Sequence, residues 1–396
     1  MTPFGVWISN ERSRQAFALL YDNDAPMMNT VITRRALMAS LATAPLFSQN
    51  GKGKDQHLLY VASPGIRNYL EFGGMGILVY DIDAGYKFVR RIPTWKEPTA
   101  NEKAENIKGI AASAKTGRVF VTTINRMMAL DALSGKVFWN KAYEGGCDRL
   151  AASPDGKTLY VPQLEGPFWT VVNAANGNVI TRIETKSASH NTIYSNDGKW
   201  VYMAGLKSPV LSIADASKHT VAKTVGPFSN VIRPFTVNGS NTLCFVNVNA
   251  LLGFEIGDVR TGKMLHRVEV KGFEQGPVKR HGCPSHGIAL THDEKEIWVV
   301  DGHNEYVHIF DATAMPPKQM QSIKLREAPG WVSWSIDGKV AYLSTGEIID
   351  VATKKIIASL SDEQGRQVHS EKVLDLIVSK GKVTVAGHQF GVGQKS

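Results

Sequence analysis

The sequence predicts an all-β protein, because two short patterns recur along it and helical periodicity is absent from residue 57 onward. The first pattern is a tight turn that separates two apolar, β-branched or aromatic runs. Gly, Asn and Asp favour such turns between antiparallel strands because they adopt positive φ at little cost. The central turn residues are Gly117, Gly156, Gly198, Gly239, Glu294, Gly338 and Gly381.

The second pattern is an Asp or Asn that closes an apolar run, and it recurs in step with the turns. Its members are Asp81, Asp131, Asn173, Asp215, Asp258, Asp311 and Asp350. The turns lie about 44 residues apart on average, and each repeat holds four runs of strand length. Four antiparallel strands in such a repeat form one blade of a β-propeller, whose blades surround a central channel. Each pattern occurs seven times, so we predict a seven-bladed β-propeller.

The two ends of the chain are predicted to complete one blade together. The stretch 58–92 contains three strand-like runs and lacks an innermost strand, which the run 373–378 near the C-terminus can supply. Pairing both ends in one sheet removes the open edges that would otherwise invite association. We therefore expect a single propeller domain over residues 57–391, with its last blade shared by N- and C-terminal strands.

One repeat resembles a known family. The run Ser153-Pro-Asp-Gly-Lys-Thr-Leu-Tyr-Val161, with weaker copies in the other repeats, resembles the YVTN-repeat (YncE-like) bacterial propellers. The resemblance covers residues 58–390 and implies an exported bacterial protein. Because such propellers include binding proteins, lactonases, lyases and cofactor carriers, the resemblance leaves the chemistry open.

The composition narrows the class of protein without selecting a ligand. The 396-residue chain is 43% hydrophobic and 20% charged, which excludes a generally disordered chain. Its net charge of +9 suits an acidic ligand, an anionic surface or nucleic acid. The basic residues are scattered over all repeats, which disfavours nucleic acid without excluding it. Three cysteines cannot form a disulfide scaffold, and we expect a monomer.

Residues 1–48 are predicted to be an N-terminal extension with an export signal. Thr33-Arg34-Arg35 precedes the apolar run Ala36–Phe47, and this pattern resembles a twin-arginine signal. Such signals lie close to the initiator, so we expect the true start at Met27 or Met28. The apolar run is too short to cross a bilayer as a helix, and no later apolar run approaches 18 residues. We therefore expect a periplasmic or secreted protein without a transmembrane segment in the mature chain.

Candidate ligand-binding residues stand where each innermost strand begins. In a propeller these positions converge at one mouth of the channel. The same register in every repeat selects Lys108, Arg149, His190, Arg233, His286, Trp331 and His369, with Glu371 close to the last. Cations brought together there repel one another, and a bound anion relieves the repulsion. The alternative is that the charges are solvated or paired internally, with Asp148 and Glu371 as partners.

An insertion over residues 270–286 lengthens the gap between the fourth and fifth turns to 55 residues. Long insertions in a regular scaffold are usually functional loops. His281, Cys283 and His286 could ligate Zn or Cu, because imidazole and thiolate suit both ions. The alternative is a rim loop whose histidines hydrogen-bond to backbone or to a ligand.

Two functions from different classes follow. The first is an exported, non-catalytic propeller that binds an anionic small molecule, a glycan or a protein partner at the channel mouth. The alternative is a His- or metal-assisted lyase or lactonase that acts on an anionic, uronate-like substrate, with His190 or His286 as general base. Arg149 and Arg233 flank His190 in the rim register, and guanidinium groups suit a carboxylate or phosphate.

Replacing both Arg34 and Arg35 with lysine should block export and leave precursor in the cytoplasm, because the twin-arginine route reads the arginine pair. Cell fractionation followed by immunoblotting measures this. The matched control replaces the neighbouring Thr33 with serine and should be exported normally. Unchanged export of the double-lysine variant would contradict the twin-arginine assignment.

Overall fold

The computed structural model describes residues 55–96, 99, 102–278 and 280–395. These residues form strands, turns and loops, and none of them is helical. The strands belong to seven antiparallel sheets, which confirms the predicted all-β, seven-bladed propeller. The predicted extension over residues 1–48, with Arg34, Arg35 and the proposed start at Met27 or Met28, lies outside the described residues. Within the described part of the chain, no helix has the length and apolarity needed to cross a membrane.

The first half of the strands forms the N-terminal part of blade 1 and all of blades 2 to 4. The N-terminal strands of blade 1 are β1 (Gln56–Ser63), β2 (Gly76–Asp81) and β3 (Lys87–Ile92). Blade 2 consists of β4 (Ile107–Ser113), β5 (Arg118–Thr123), β6 (Arg126–Asp131) and β7 (Val137–Ala142). Blade 3 consists of β8 (Ala151–Ala152), β9 (Thr158–Pro162), β10 (Phe168–Asn173) and β11 (Val179–Glu184). Blade 4 consists of β12 (Ser189–Tyr194), β13 (Trp200–Gly205), β14 (Leu211–Asp215) and β15 (Thr220–Val225).

The remaining strands form blades 5 to 7 and return to blade 1. Blade 5 consists of β16 (Ile232–Val237), β17 (Leu243–Val248), β18 (Gly253–Asp258) and β19 (Lys263–Glu269). Blade 6 consists of β20 (Ser285–Leu290), β21 (Glu296–Asp301), β22 (Tyr306–Asp311) and β23 (Lys318–Lys324). Blade 7 consists of β24 (Val332–Trp334), β25 (Val340–Leu343), β26 (Glu347–Asp350) and β27 (Ile356–Ser359). The chain ends in blade 1 with β28 (Val373–Ser379) and β29 (Lys382–Ala386).

Side chains within the turns explain why the first sequence pattern recurs. Ser153 Oγ donates a hydrogen bond to Asp155 Oδ1 at 2.6 Å between β8 and β9. Gly156 follows with a φ of 72°, a conformation that glycine adopts without steric cost. The same hydroxyl-to-carboxylate bond joins Ser195 to Asp197, Ser335 to Asp337 and Thr291 to Asp293. These bonds stabilise the turn that reverses the chain at the same place in blades 3, 4, 6 and 7.

The ring closes in blade 1, where β28 pairs antiparallel with β1. The strand order is β29-β28-β1-β2-β3, so β28 lies beside β1 in the place that the innermost strand takes in the other blades, and the predicted sharing of the last blade is confirmed. Because β1 occupies the second position, β29 pairs on the other side of β28, where it contacts β4. The innermost strands contact one another around the channel in the order β4, β8, β12, β16, β20, β24 and β28.

Apolar side chains between adjacent blades form the core. Trp169 and Trp298 are fully buried, and the ring of Trp298 packs edge-on against Trp334 of the next blade at 5.2 Å. The outermost strands are more exposed than the others, and some of their apolar side chains, such as Phe138 and Ile357, face solvent. Adjacent blades therefore pack face to face around the channel.

The segment after β29 crosses the channel, which the sequence patterns do not predict. We call residues 387–395 the C-terminal segment. Its backbone and Gln389 bond to the innermost strands or turns of five blades. The contacts run from Ile110 N to Gln389 Oε1, from Gln389 Nε2 to Leu150 O, from Asn196 Nδ2 to Gly393 O, from Gly393 N to Val237 O and from Leu290 N to Gly391 O. Trp331 Nε1 of blade 7 also donates to Gln389 O at 2.7 Å.

Two C-terminal truncations separate ring closure from this crossing. A chain ending at Ser370 loses β28 and β29 and should not fold, because β1 would be left with an open edge. A chain ending at Ala386 keeps both strands and should fold with a melting temperature several degrees lower. It loses a set of hydrogen bonds, each contributing about 1 kcal/mol. Circular dichroism with thermal melting measures both.

The control for these truncations is Lys382→Ala at the exposed start of β29, which should melt like the unmodified protein. Cooperative melting of the Ser370 chain at the unmodified temperature would contradict the closure of the ring through β28.

Candidate functional site

A cavity of about 250 Å³ lies where the innermost strands begin. Five of the seven rim residues selected from the sequence line it: Lys108, Arg149, His190, Arg233 and His286. They stand at or just before the starts of β4, β8, β12, β16 and β20, which are innermost strands of five successive blades. The shared register brings them together because each blade repeats the same path into the channel.

The other two rim residues, Trp331 and His369, do not line this cavity. Trp331 is buried behind Arg149, whose guanidinium carbon lies 3.5 Å from the centre of the indole ring. The His369 ring stacks on Phe72 at 4.2 Å. Burial, with Arg326 and Arg280 nearby, lowers the pKa of His369 to about 4, so this imidazole is neutral at pH 7. Trp331 thus supports a lining residue, while His369 packs outside the lining.

Arg149 is a buried cation with an incomplete set of partners. Its side chain is 3% exposed, and its Nη2 donates to Glu371 Oε2 at 2.7 Å. Its Nε and Nη1 are also buried, and neither has a hydrogen-bond partner among the described residues. A buried donor left unpaired costs about 1–3 kcal/mol, and more when it is charged. Arg149 therefore has unused capacity to bind an acceptor.

Glu371 joins Arg149 to a second buried cation, Lys372. Lys372 Nζ lies 2.8 Å from Glu371 Oε2 and 2.8 Å from Gly65 O. Burial alone would raise the pKa of Glu371, but Lys372, His281 and His286 together hold it well below its usual range. One carboxylate thus faces two buried Lys or Arg side chains, which leaves this part of the cavity positively charged.

Sequence reasoning missed Lys372, although the signal was present. Lys372 immediately precedes β28, the innermost strand of blade 1, and so stands near the rim register that selects Arg149 and Arg233. The loop before β28 differs in length from those of the other blades, and the register was therefore placed at His369 and Glu371. Arg67, Glu165 and Arg280 also line the cavity and were not selected.

His190 is oriented by a buried carboxylate. Its Nδ1 lies 2.5 Å from Asp148 Oδ2, and Asp148 is 1% exposed. Burial raises the pKa of Asp148, but the charges of His190 and Lys108 outweigh it, so the pKa is lowered overall and the carboxylate is ionised. An ionised carboxylate can only accept a hydrogen bond, so Nδ1 carries the hydrogen, and in the neutral tautomer of this ring Nε2 carries the lone pair. That Nε2 has no partner among the described residues.

The metal-ligand set expected from the insertion is not assembled as a trio. The structure places Glu371, and not Cys283, beside His281 and His286, with the three potential ligand atoms within 4.8 Å of one another. Cys283 Sγ donates to Ser285 O at 2.9 Å, and burial raises the pKa of this thiol to about 12. A protonated, buried thiol is a poor metal ligand.

The net charge of the cavity lining determines whether it favours a metal ion or an anion. Six Lys or Arg side chains line the cavity against three carboxylates. His281 Nε2 lies 3.0 Å from Ala328 O and its Nδ1 lies 3.0 Å from Glu371 Oε1, so a doubly protonated ring satisfies both acceptors. A divalent cation would add two positive charges beside Lys372 and Arg149. Like unit charges 4 Å apart repel by about 4 kcal/mol at a surface-like dielectric, so the lining favours an anion over a metal ion.

The insertion over 270–286 forms one wall of the cavity. Arg233 Nε donates to Asn249 Oδ1 at 2.6 Å, and its Nη2 donates to Gly282 O at 2.9 Å. Arg67 Nη2 donates to Arg280 O at 3.0 Å, which connects the insertion to the loop after β1. The insertion therefore covers Arg233 from one side and contributes Arg280 and His281 to the lining.

The fold and this cavity define a class: a seven-bladed β-propeller with a positively charged cavity at one channel mouth. Two solved structures are similar in fold, each with a TM-score of 0.54 and 74% of this chain covered. Kuenenia stuttgartiensis hydrazine synthase is 15% identical over 90% of its chain. The Cps50 (Swd1) β-propeller domain of Myceliophteria thermophila is 11% identical over 96% of its chain. At these identities the likeness shows the fold alone.

Comparison of the sequence with known proteins adds no family. No family model matches the chain, and no curated protein matches it.

Proposed function

We propose that this protein is an exported, YVTN-type propeller that binds an anionic small molecule in the channel-mouth cavity. The observation that carries the proposal is Arg149, a guanidinium buried in the cavity lining with Nε and Nη1 unpartnered among the described residues. Carboxylate, sulfate or phosphate oxygens are the acceptors that guanidinium groups bind best. The only support for export is the Arg34-Arg35 pattern in the sequence.

The size of the cavity supports a small ligand. At about 250 Å³ it falls just below the range of pockets that hold drug-sized molecules. A sugar acid or a short dicarboxylate fits this scale. A uronic acid residue of a glycan, or an acidic side chain of a protein partner, would present the same carboxylate to Arg149 and Arg233.

Arg149→Lys and Arg233→Gln should each weaken anion binding by roughly 1.5–3 kcal/mol, about tenfold to a hundredfold, the scale of a charged hydrogen bond. Lysine at position 149 keeps a positive charge for Glu371 but loses the planar donor set and the contact with Trp331. Isothermal titration with galacturonate, sulfate and an acidic peptide measures the affinities and distinguishes the ligand classes.

The control variant is Arg182→Gln, which removes an arginine of the outermost strand β11 that pairs with Glu144 outside the cavity. It should bind anions like the unmodified protein. Unchanged affinity of the Arg149→Lys, Arg233→Gln double variant for every anion would overturn the proposed binding site.

A second candidate function, a His-assisted lyase or lactonase acting on a uronate-like substrate, is favoured by the Asp148–His190 pair. A neutral imidazole with Nε2 free can accept a proton from the carbon next to a carboxylate. Asp148 would stabilise the imidazolium that forms, and the nearby cations would stabilise the negative charge on the substrate. A metal-assisted lyase or lactonase has less support, because the positively charged cavity lining would repel a metal ion.

His190→Ala separates the two functions. In an enzyme it should lower kcat by about 100-fold or more, the usual contribution of a general base, with little change in KM. In a binding protein it should change only the affinity for the anion. The measurement follows the absorbance of the unsaturated product with uronate substrates and the hydrolysis of a panel of lactones.

Asp148→Asn should reproduce most of the His190→Ala effect, because asparagine cannot stabilise the imidazolium. The matched control is His369→Ala, a histidine outside the lining, which should leave turnover unchanged. Equal turnover by the His190→Ala and unmodified proteins would exclude His190 as the base.

A further inference from the structure

Lys372 is a primary amine in the wall of the cavity that anion binding does not by itself explain. It is 5% exposed, and it lines the cavity together with Arg149 and Arg233. Its Nζ has two acceptors at 2.8 Å, Gly65 O and Glu371 Oε2. Lysine side chains are almost never buried to this degree unless they are fully paired.

The hydrogen-bond partners of Nζ fit the uncharged amine. A neutral amine has two N–H groups, which match the two acceptors, and its lone pair then points in the remaining direction. An ammonium has a third N–H, for which the described residues provide no acceptor. The geometry therefore accommodates a nucleophilic nitrogen in the cavity wall.

Burial brings the uncharged amine within reach near neutral pH, although the ammonium predominates below a pH of about 8. Glu371 stabilises the ammonium, whereas Arg149 and Lys108 oppose it, and His281 and His286 already share the carboxylate of Glu371. Burial is the largest cause, and it lowers the pKa of Lys372 to about 8. A lysine desolvated and placed beside another cation is the usual form of an activated amine nucleophile.

We propose that Lys372 forms an imine with the carbonyl carbon of a small anionic aldehyde or keto acid held in the cavity. The inference rests on the proposed anion binding, because Arg149 and Arg233 are needed to bring the carboxylate close. In a 2-keto acid the carbonyl carbon is bonded directly to the carboxylate carbon. A carboxylate on the guanidinium groups therefore presents its carbonyl to a neighbouring amine.

The reaction balances without an oxidant or reductant. The lone pair of Nζ attacks the carbonyl carbon, and the π electrons of the C=O bond move to oxygen. The oxygen leaves as water with the two amine hydrogens, and a C=N bond remains. A proton from solvent converts the imine to an iminium, whose positive charge lies beside the carboxylate of Glu371.

The test uses pyruvate as the probe and borohydride to trap the imine on the full-length protein. Intact-mass spectrometry should show one added carboxyethyl group, and peptide mapping should place it on Lys372. The rate of labelling should rise as the pH rises through about 8, because the neutral fraction of Lys372 increases there. Propanal, which has the carbonyl but no carboxylate, should label at least tenfold more slowly.

Two lysine-to-arginine variants provide the control. Lys372→Arg keeps a cation for Glu371 and a donor for Gly65 but cannot form an imine, so its label should be lost. Lys141→Arg changes a lysine of the outermost strand β7, whose Nζ donates to Asn178 Oδ1 outside the cavity. Its labelling at Lys372 should match that of the unmodified protein.

Lactate separates the failure of this inference from the failure of anion binding, because it carries the carboxylate without the carbonyl. Lactate should bind by calorimetry and slow the labelling. Lactate binding without a pyruvate adduct at Lys372 would overturn the imine and leave the anion site standing. No binding of either acid, or equal labelling of the Lys372→Arg variant, would overturn the inference as well, and the absence of binding would also count against the anion site.

Discussion

Strand β28 pairs with β1 over six residue pairs from Gln56–Val378 to Val61–Val373, and this ladder joins the two ends of the described chain. Ala62 N donates to Lys372 O at 2.9 Å, and Ser370 Oγ donates to Ala62 O at 2.6 Å, so the ladder continues into the loop before β28. The pairing closes the ring and, in the same step, brings Glu371 and Lys372 beside Gly65. The charged cavity therefore exists only in the closed propeller.

The cavity is also connected to the C-terminal segment. The C-terminal segment accepts a hydrogen bond from Trp331 through Gln389 O, and Trp331 in turn lies against the guanidinium of Arg149. The carboxylate of Glu371 accepts a hydrogen bond from Arg149 and forms ion pairs with Lys372 and His281. Direct contacts thus connect the C-terminal segment to the cavity. They restrict the positions of the buried charged side chains.

Buried charges of this kind are a weak source of stability. Removing a carboxylate and two cations from water costs several kcal/mol per ion, and their mutual attraction repays this only with excellent geometry. Two nitrogens of Arg149 have no partner among the described residues, so the cluster around Glu371 is not fully satisfied by the protein. The two unpartnered nitrogens of Arg149 therefore fit the binding of a ligand better than a contribution to the stability of the fold.

The sequence alone determined the number of blades, the position of the turns and five of the residues that line the cavity. Each of these depends on local or repeated features, such as the bond from Ser153 to Asp155 in a turn. A feature that repeats in the sequence lies at the equivalent position in each blade that carries it. The tertiary structure alone decided the position of β29, the crossing by the C-terminal segment and the meeting of Lys372 with Gly65. These depend on contacts between residues that lie far apart in the sequence, up to 307 positions for Lys372 and Gly65, and on loops that differ from blade to blade. No periodic pattern encodes such contacts, because they follow from how the last blade closes on the first.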